Sequence, residues 1–358
     1  MFKLLARRAV RPLCIAASLF LVACEDSTPA SSDPDVPAAD TEVAPSDTAT
    51  TEASTEAIDG VETASPCTPG ATQVLVPALD GPQRLTADAA HLYWVDDHGI
   101  WRSDLSGADK VSLATDQDIR VLVVDDVWCY FGTFGGEIRR VSKTPGGTSE
   151  HFAGDAGHKV SNPTALAVDA THLYWTDAYF DSISRVSLDG TTTTTLIESK
   201  TQGGIVGDEP HRLALNSTKL FWTTLDGQVG FALKDGSGAT ALVAPAAEFG
   251  GIAADDTHIY WVGDGVYRAT IDGSAVLQLA PANPSRRYAI VIDATDAYFL
   301  GRNQFGIVPK LGGALVELRY PSDRPSLATD LIVRDSAIFW SHDPGSDGDG
   351  AILRTCLP

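Results

Sequence analysis

Short apolar runs separated by polar, Gly-rich turns fill the chain beyond residue 67, and seven of these runs carry an aromatic doublet. The doublets stand in HLYWVD (Tyr93), WCYFGT (Tyr130), HLYWTD (Tyr174), KLFWTT (Phe221), HIYWVG (Tyr260), DAYFLG (Tyr298) and AIFWSH (Phe339). They follow one another at steps of 37, 44, 47, 39, 38 and 41 residues, the period of a four-stranded propeller blade. The second aromatic is Trp94, Trp175, Trp222, Trp261 or Trp340 in five repeats, and Phe131 or Phe299 in the other two. Bulky apolar residues side by side predict a strand buried on both faces, because a half-exposed strand would alternate.

Five residues before each doublet stands Asp88, Asp125, Asp169, Asn216, Asp255, Asp293 or Arg334, preceded by another apolar run. This predicts a strand, a tight turn opened by an Asx side chain, and a second strand. A catalytic ring of aspartates is the alternative; turn chemistry is preferred because it accounts for all of them. The third strand of a repeat runs into LDGT, TPGG, IDGS or KLGG, which are hairpin signals, and a fourth strand follows.

The last repeat stops at AILRTCLP and has no fourth strand. CTPGATQVLVPA, near the start, matches the turn and fourth strand of the second repeat, KTPGGTSEHFA. Residues 72–78 are therefore expected to return to the final blade as its outer strand, which would leave no open sheet edge. The expected fold is all-β: a seven-bladed β-propeller over 67–358, with six or eight blades as the alternatives. In this register Cys67 and Cys356 approach each other, and a disulfide is expected, worth at most about 5 kcal/mol on the chain-entropy model. Cys129 occupies the place of Leu92, Leu173 and Leu220 and reads as a buried small hydrophobe.

The segment LAVDATHLYWTDAYFDSISRVSLDG resembles the YWTD repeat, the class B repeat of the low-density lipoprotein receptor family. More loosely, the repeats resemble bacterial TolB-like propellers. The full string occurs once, at Tyr174–Asp177, and the other repeats match in part. Both families have six blades, against seven counted here. The resemblance implies a toroid of antiparallel blades that serves as a recognition platform.

The amino terminus is different in kind. Lys3, Arg7, Arg8 and Arg11 precede a short apolar core, PLCIAASLFLVA, too short to span a bilayer. Residues 1–23 read as a signal peptide, and LVAC resembles the bacterial lipoprotein lipobox, which implies a lipid on Cys24. Residues 24–66 are dominated by Ser, Thr, Ala, Pro, Asp and Glu, without Lys, Arg or an aromatic residue. They are expected to form a disordered acidic tether. The expected location is the bacterial cell envelope, with membrane contact through the lipid alone. The formal charge of −21 opposes nucleic acid as a partner, and a monomer is expected.

Candidate chemistry falls on the least repetitive loops, those leading into each first strand and those between second and third strands. Seven residues before each turn residue stand Gly81, Asp118, Asn162, Glu209, Glu248, Arg286 and Leu327. If these ring the channel mouth, Asp118, Asn162, Glu209 and Glu248, beside Arg286, form an oxygen-rich set of the kind that suits Ca²⁺. A solvated acidic rim is the simpler reading. His158, Tyr179, Asp208, His211, Arg287, Arg302 and His342 are the further loop-face candidates for binding. No nucleophile elbow, phosphate loop, dinucleotide fingerprint or Cys/His cluster occurs, and no cofactor is assigned. The expected function is non-catalytic recognition of a protein, peptide or glycan; a metal-dependent hydrolase, lactonase or lyase is the alternative.

Overall fold

A computed structural model describes residues 68–154, 160–198, 209–242, 250–281, 287–301, 304–319, 328–344 and 349–358. The expected signal peptide, Cys24, the tether and Cys67 lie outside the described residues. Among the described residues there are 28 strands and no helix.

Strand β1 (Thr72–Leu79) precedes the first blade, which comprises β2 (Gln83–Ala87), β3 (His91–Asp96), β4 (Gly99–Asp104) and β5 (Val111–Ala114). The second blade has β6 (Ile119–Val124), β7 (Trp128–Thr133), β8 (Ile138–Ser142) and β9 (Glu150–Ala153). The third has β10 (Pro163–Val168), β11 (His172–Asp177), β12 (Ser182–Ser187) and β13 (Thr193–Glu198). The fourth has β14 (Pro210–Leu215), β15 (Lys219–Thr224), β16 (Val229–Leu233) and β17 (Thr240–Leu242). The fifth has β18 (Ile252–Ala254), β19 (His258–Val262), β20 (Val266–Thr270) and β21 (Leu277–Ala280). The sixth has β22 (Arg287–Ile292), β23 (Asp296–Gly301), β24 (Gln304–Pro309) and β25 (Val316–Arg319). The last has β26 (Ala328–Arg334), β27 (Ala337–His342) and β28 (Gly350–Cys356).

Its sheet is completed by β1, in the order β1-β28-β27-β26. Thr72 faces Thr355, Val74 faces Leu353 and Val76 faces Ile352. Beside this ladder Gly70 N–H donates to the Cys356 carbonyl at 2.9 Å and Cys356 N–H to that of Ala71 at 3.0 Å. Cys356 is disulfide-bonded. The fold is thus a seven-bladed propeller closed by its first strand. The seven leading strands (β2, β6, β10, β14, β18, β22 and β26) touch in succession, and β26 meets β2.

The doublets explain the stacking. Tyr93 shares an apolar cluster with Phe131, Tyr130 with Trp175, Tyr174 with Trp222 and Phe221 with Trp261. Tyr260 joins Phe299, Tyr298 joins Trp340, and Phe339 joins Trp94. Consecutive residues on a strand point to opposite faces. Each doublet therefore sends one ring into the seam on either side, and seven small cores stand in series. Cys129 is fully buried in one of them, and burial pushes its thiol far up.

The turn aspartates act on the backbone, as expected. Asp88 Oδ1 accepts the Ala90 and His91 N–H groups, both at 2.8 Å. The same pair of bonds recurs at Asp125, Asp169, Asp255 and Asp293. The second carboxylate oxygen takes the phenol of the tyrosine five residues on, for example Tyr93 at 2.7 Å and Tyr298 at 2.6 Å. Where the turn residue is Asn216 or Arg334, the aromatic is Phe221 or Phe339. A buried phenol without its acceptor would cost free energy, so hydroxyl and carboxylate occur together.

Lysines of the following blade complete three of these clusters. Lys143 pairs with Asp88, Lys234 with Asp169 at 2.9 Å, and Lys310 with Asp255 at 2.7 Å. Burial alone would raise the Asp255 carboxyl, but hydrogen bonds from Lys310, Thr257 and His258 hold it down to about 2. Because the folded value lies below the unfolded one, this contribution is complete above the ordinary carboxylate range and is lost as pH falls through about 4 toward 2. Urea midpoints should drop across that window. Lys310→Met is expected to cost about 1–3 kcal/mol at pH 7 and to make the acid drop shallower. Equal slopes for the two proteins would refute the clasp.

Candidate functional site

Among the described residues, the positions seven before the turns take part in backbone contacts. Gly81, Asp118 and Glu209 adopt φ of 61°, 59° and 55°. The carbonyls of Asp118, Asn162 and Glu209 accept the N–H groups of Phe134, Ala178 and Leu225 at 2.9, 3.1 and 3.2 Å. Each bond ties the loop leading into a first strand to the loop after the second strand. The Asp118 and Glu209 side chains are exposed, while the Asn162 amide oxygen accepts from Arg120. Among the described residues no group of three or more His, Cys, Asp or Glu converges. Glu248 and Arg286, as well as His158, Asp208 and Arg302, lie outside the described residues.

Tyr179 is 68% exposed on the turn between β11 and β12 and packs edge-on against Phe180 at 5.0 Å. Phe134, on the corresponding turn of the second blade, is 50% exposed. Arg287 opens β22. His211 and His342, expected on loops, are instead buried, within β14 and at the end of β27. The reason for His211 is that the first strand begins already at Pro210, directly after the loop.

The first strands hold a feature that the loop-based reading missed. Six of them carry an irregularity near their start. The register slips between Gln83 and Thr86, Ile119 and Val121, Pro163 and Ala165, Pro210 and Arg212, Arg287 and Ala289, and Ala328 and Leu331. A bulge re-aims the extra residue and interrupts the ladder. The residues so displaced include Arg84, Arg120, Thr164, His211 and Asp330, and Arg212 adjoins one of them. Arg84 takes a φ of 59°.

These side chains form a polar collar where the first strands encircle the axis. Arg84 is 4% exposed, Arg212 3% and Asp330 fully buried. Asp330 Oδ2 accepts the Arg84 N–H at 2.7 Å across the seam between the last and first blades. Burial raises the Asp330 carboxyl to about 6, against the opposing pull of Arg84 and Arg212. Burial, then Arg212, Arg120 and Arg84, push His211 down to about 2, so the imidazole is neutral at neutral pH. Arg212 Nη1 donates to the His211 carbonyl at 3.3 Å, and Arg120 stacks over the Phe134 ring at 5.1 Å. Thr164 belongs to the frame, since its hydroxyl donates to the Pro210 carbonyl of the next blade at 2.7 Å. The collar stands in a chain of formal charge −21. The legible signal was a charged residue four or five positions before the turn residue.

The fold and this collar define the class: a seven-bladed propeller with a charged collar in its ring of first strands. Solved structures agree on the fold. A virginiamycin B lyase from Staphylococcus aureus, in a catalytically inactive form with quinupristin, matches 80% of this chain and 99% of its own at a TM-score of 0.64 and 18% identity. A streptogramin B lyase matches 80% of this chain and 97% of its own at 0.63 and 17%. The WD40 propeller domain of Doa1 matches 80% and 96% at 0.60 and 14%. No family model matches the sequence.

Proposed function

We propose that the chain is a lipid-anchored protein of the bacterial envelope whose propeller binds a protein, peptide or glycan without catalysis. The observation that carries this reading is the exposed aromatic pair on corresponding turns of two successive blades, Phe134, on which Arg120 of the collar stacks, and Tyr179. Charge and aromatic surface together are what interface anchors are made of. The lipobox-like LVAC, Cys24 and the acidic stretch 24–66 support the anchor. The paired Asp and Tyr of five blades support kinship with YWTD-type repeats. Cys67 is proposed as the partner of Cys356, next to the Gly70–Cys356 backbone bond.

A second reading, hydrolysis or elimination assisted by a divalent ion, draws on the lyase folds and on the exposed Glu209. Two measurements separate them. Metabolic labelling with palmitate should mark the wild-type chain and not Cys24→Ser. Crosslinking from Tyr179 and Phe134 replaced by photoreactive residues should trap a partner in envelope extracts. Turnover of a small substrate with stoichiometric bound metal, lost in Glu209→Gln, would replace the binding reading with the catalytic one.

A further inference from the structure

We infer that Phe134 and Tyr179 anchor a docking surface for a cationic segment of a peptide or protein, one that presents Lys or Arg side chains. This rests on the binding reading above and names the chemistry of the partner. The two rings belong to one surface. The turn that carries Phe134 packs on the segment leading into the third blade, where a Cβ at residue 136 would stand 2.7 Å from the Val160 carbonyl. Arg120 stacks on Phe134 at 5.1 Å and donates to the Asn162 side chain, while the Asn162 carbonyl accepts the Ala178 N–H at 3.1 Å. Tyr179 follows directly. Its own N–H and that of Phe180 donate to Asp177 Oδ1 at 3.0 and 3.2 Å, and Asp177 is fully buried. The exposed ring therefore stands on a turn that is already fixed, and binding needs to order little further backbone.

Charge decides the partner. Asp118, whose carbonyl accepts the Phe134 N–H at 2.9 Å, is exposed. Asp181 lies two residues beyond Tyr179, and its Oδ1 accepts the Glu209 N–H at 3.0 Å, which brings the exposed Glu209 alongside. Register places all of them at one end of the ring, since Ile119 faces Thr133, Pro163 faces Asp177 and Pro210 faces Thr224. Among the described residues none of these three carboxylates has a Lys or Arg partner. Arg139 is taken up by Asp116 and Glu137, both at 3.2 Å. Arg120 offsets one of the three charges, and Arg84 and Arg212 are buried. An ammonium or guanidinium gains twice on such a surface, over the ring faces and against the carboxylates. The stretch 24–66 has no Lys or Arg and cannot be the occupant. A second copy of a chain of formal charge −21 would be repelled, as would an anionic glycan.

The test uses the full chain and three end-blocked, fluorescently labelled octapeptides in which glycine alternates with arginine, serine or glutamate. Binding is followed by fluorescence anisotropy. The arginine peptide should bind saturably, at least about tenfold more tightly than the serine peptide, and should weaken as salt rises from about 0.05 to 0.5 M. Tyr179→Ala and Phe134→Ala should each weaken it at least about fivefold, and Asp118→Asn and Glu209→Gln about two- to threefold each. Asp126→Asn removes the same charge from the exposed turn between β6 and β7, at the other end of the second blade, and should leave binding unchanged. Equal losses in Asp126→Asn and Asp118→Asn would mean attraction by overall charge alone and overturn the surface, as would binding unaltered in Tyr179→Ala. Equal binding of the serine peptide, or tighter binding of the glutamate peptide or of a neutral cello-oligosaccharide, overturns the cationic assignment. Displacement of the arginine peptide by an equal concentration of spermine overturns the peptide assignment. A partner crosslinked from position 179 just as efficiently after Asp118→Asn and Glu209→Gln, with no arginine-peptide binding, would leave the recognition reading standing and refute the cationic one. Turnover of a small substrate beside intact arginine-peptide binding would do the reverse.

Discussion

A chain that starts at Asp80 is expected to lose its cooperative unfolding transition, whereas one that starts at Cys67 should unfold like the full-length chain. Removing β1 strips β28 of its ladder from Thr355 to Gly350. It also withdraws Val76 and Leu79 from the cluster that holds Leu85, Trp94, Ile332, Phe339 and Ile352. Two fully buried aliphatic side chains are worth about 1.5–3 kcal/mol each, against a total stability of about 5–15 kcal/mol for an ordinary domain. The exposed edge would be GAILRTC, mostly apolar and ready to pair with a second chain. Urea unfolding followed by tryptophan fluorescence, with gel filtration for association, reads both effects. An unchanged midpoint and slope in the shorter chain would show that β1 is dispensable.

The second large effect lies at the seam between the third and fourth blades. Trp222 is fully buried and faces Gly230 across the β15–β16 ladder. A Cβ at residue 230 would stand 2.2 Å from Trp222 Cε2, so the ring occupies the space above the glycine. Phe299 and Gly306 repeat the arrangement two blades on, at 1.8 Å. Trp222→Ala is expected to cost about 3–5 kcal/mol and Gly230→Ala about 1–3 kcal/mol through overpacking. In the double variant the second cost should nearly vanish, because the clash partner is gone. A coupling near zero would mean that ring and glycine do not share this space.

The propeller was legible because each repeat states its requirement locally. Two adjacent aromatics need two apolar faces, and only stacked blades provide them. The missing fourth strand after AILRTCLP and the surplus one at TQVLVPA completed each other by sequence alone. The pairing of Tyr with Asp and of Phe with Asn216 or Arg334 was also present in the sequence. It needed the 2.7 Å bond of Tyr93 to Asp88 to give it meaning.

The charged residue four or five positions before the turn was visible, but its place in a collar was not, for a physical reason. An arginine inside a strand reads as a residue on an exposed face, and the bulge that turns it elsewhere leaves no change in spacing when nearly every blade carries one. The same regularity includes Asp118 and Glu209. A fixed distance from the turn suggested converging ligands; at Asp118 and Glu209 it also accompanies a left-handed backbone whose carbonyl accepts an N–H from the neighbouring loop. Gly81 and Asp118, residue types that tolerate that conformation, were the available hint; Glu209 departs from it.

The pairing of β1 with β28 sets an order on events during synthesis. Thr72 and Thr355, whose hydroxyls meet at 3.0 Å, are 283 positions apart. At about 5–20 residues per second the earliest ordered strand waits roughly 15–60 s for its mate. Until then Val76 and Leu79 stay wet and every blade but the last can form around them. Ring closure is therefore the last step of folding during synthesis, and until it comes the apolar face of the first strand waits for a partner made at the far end of the chain.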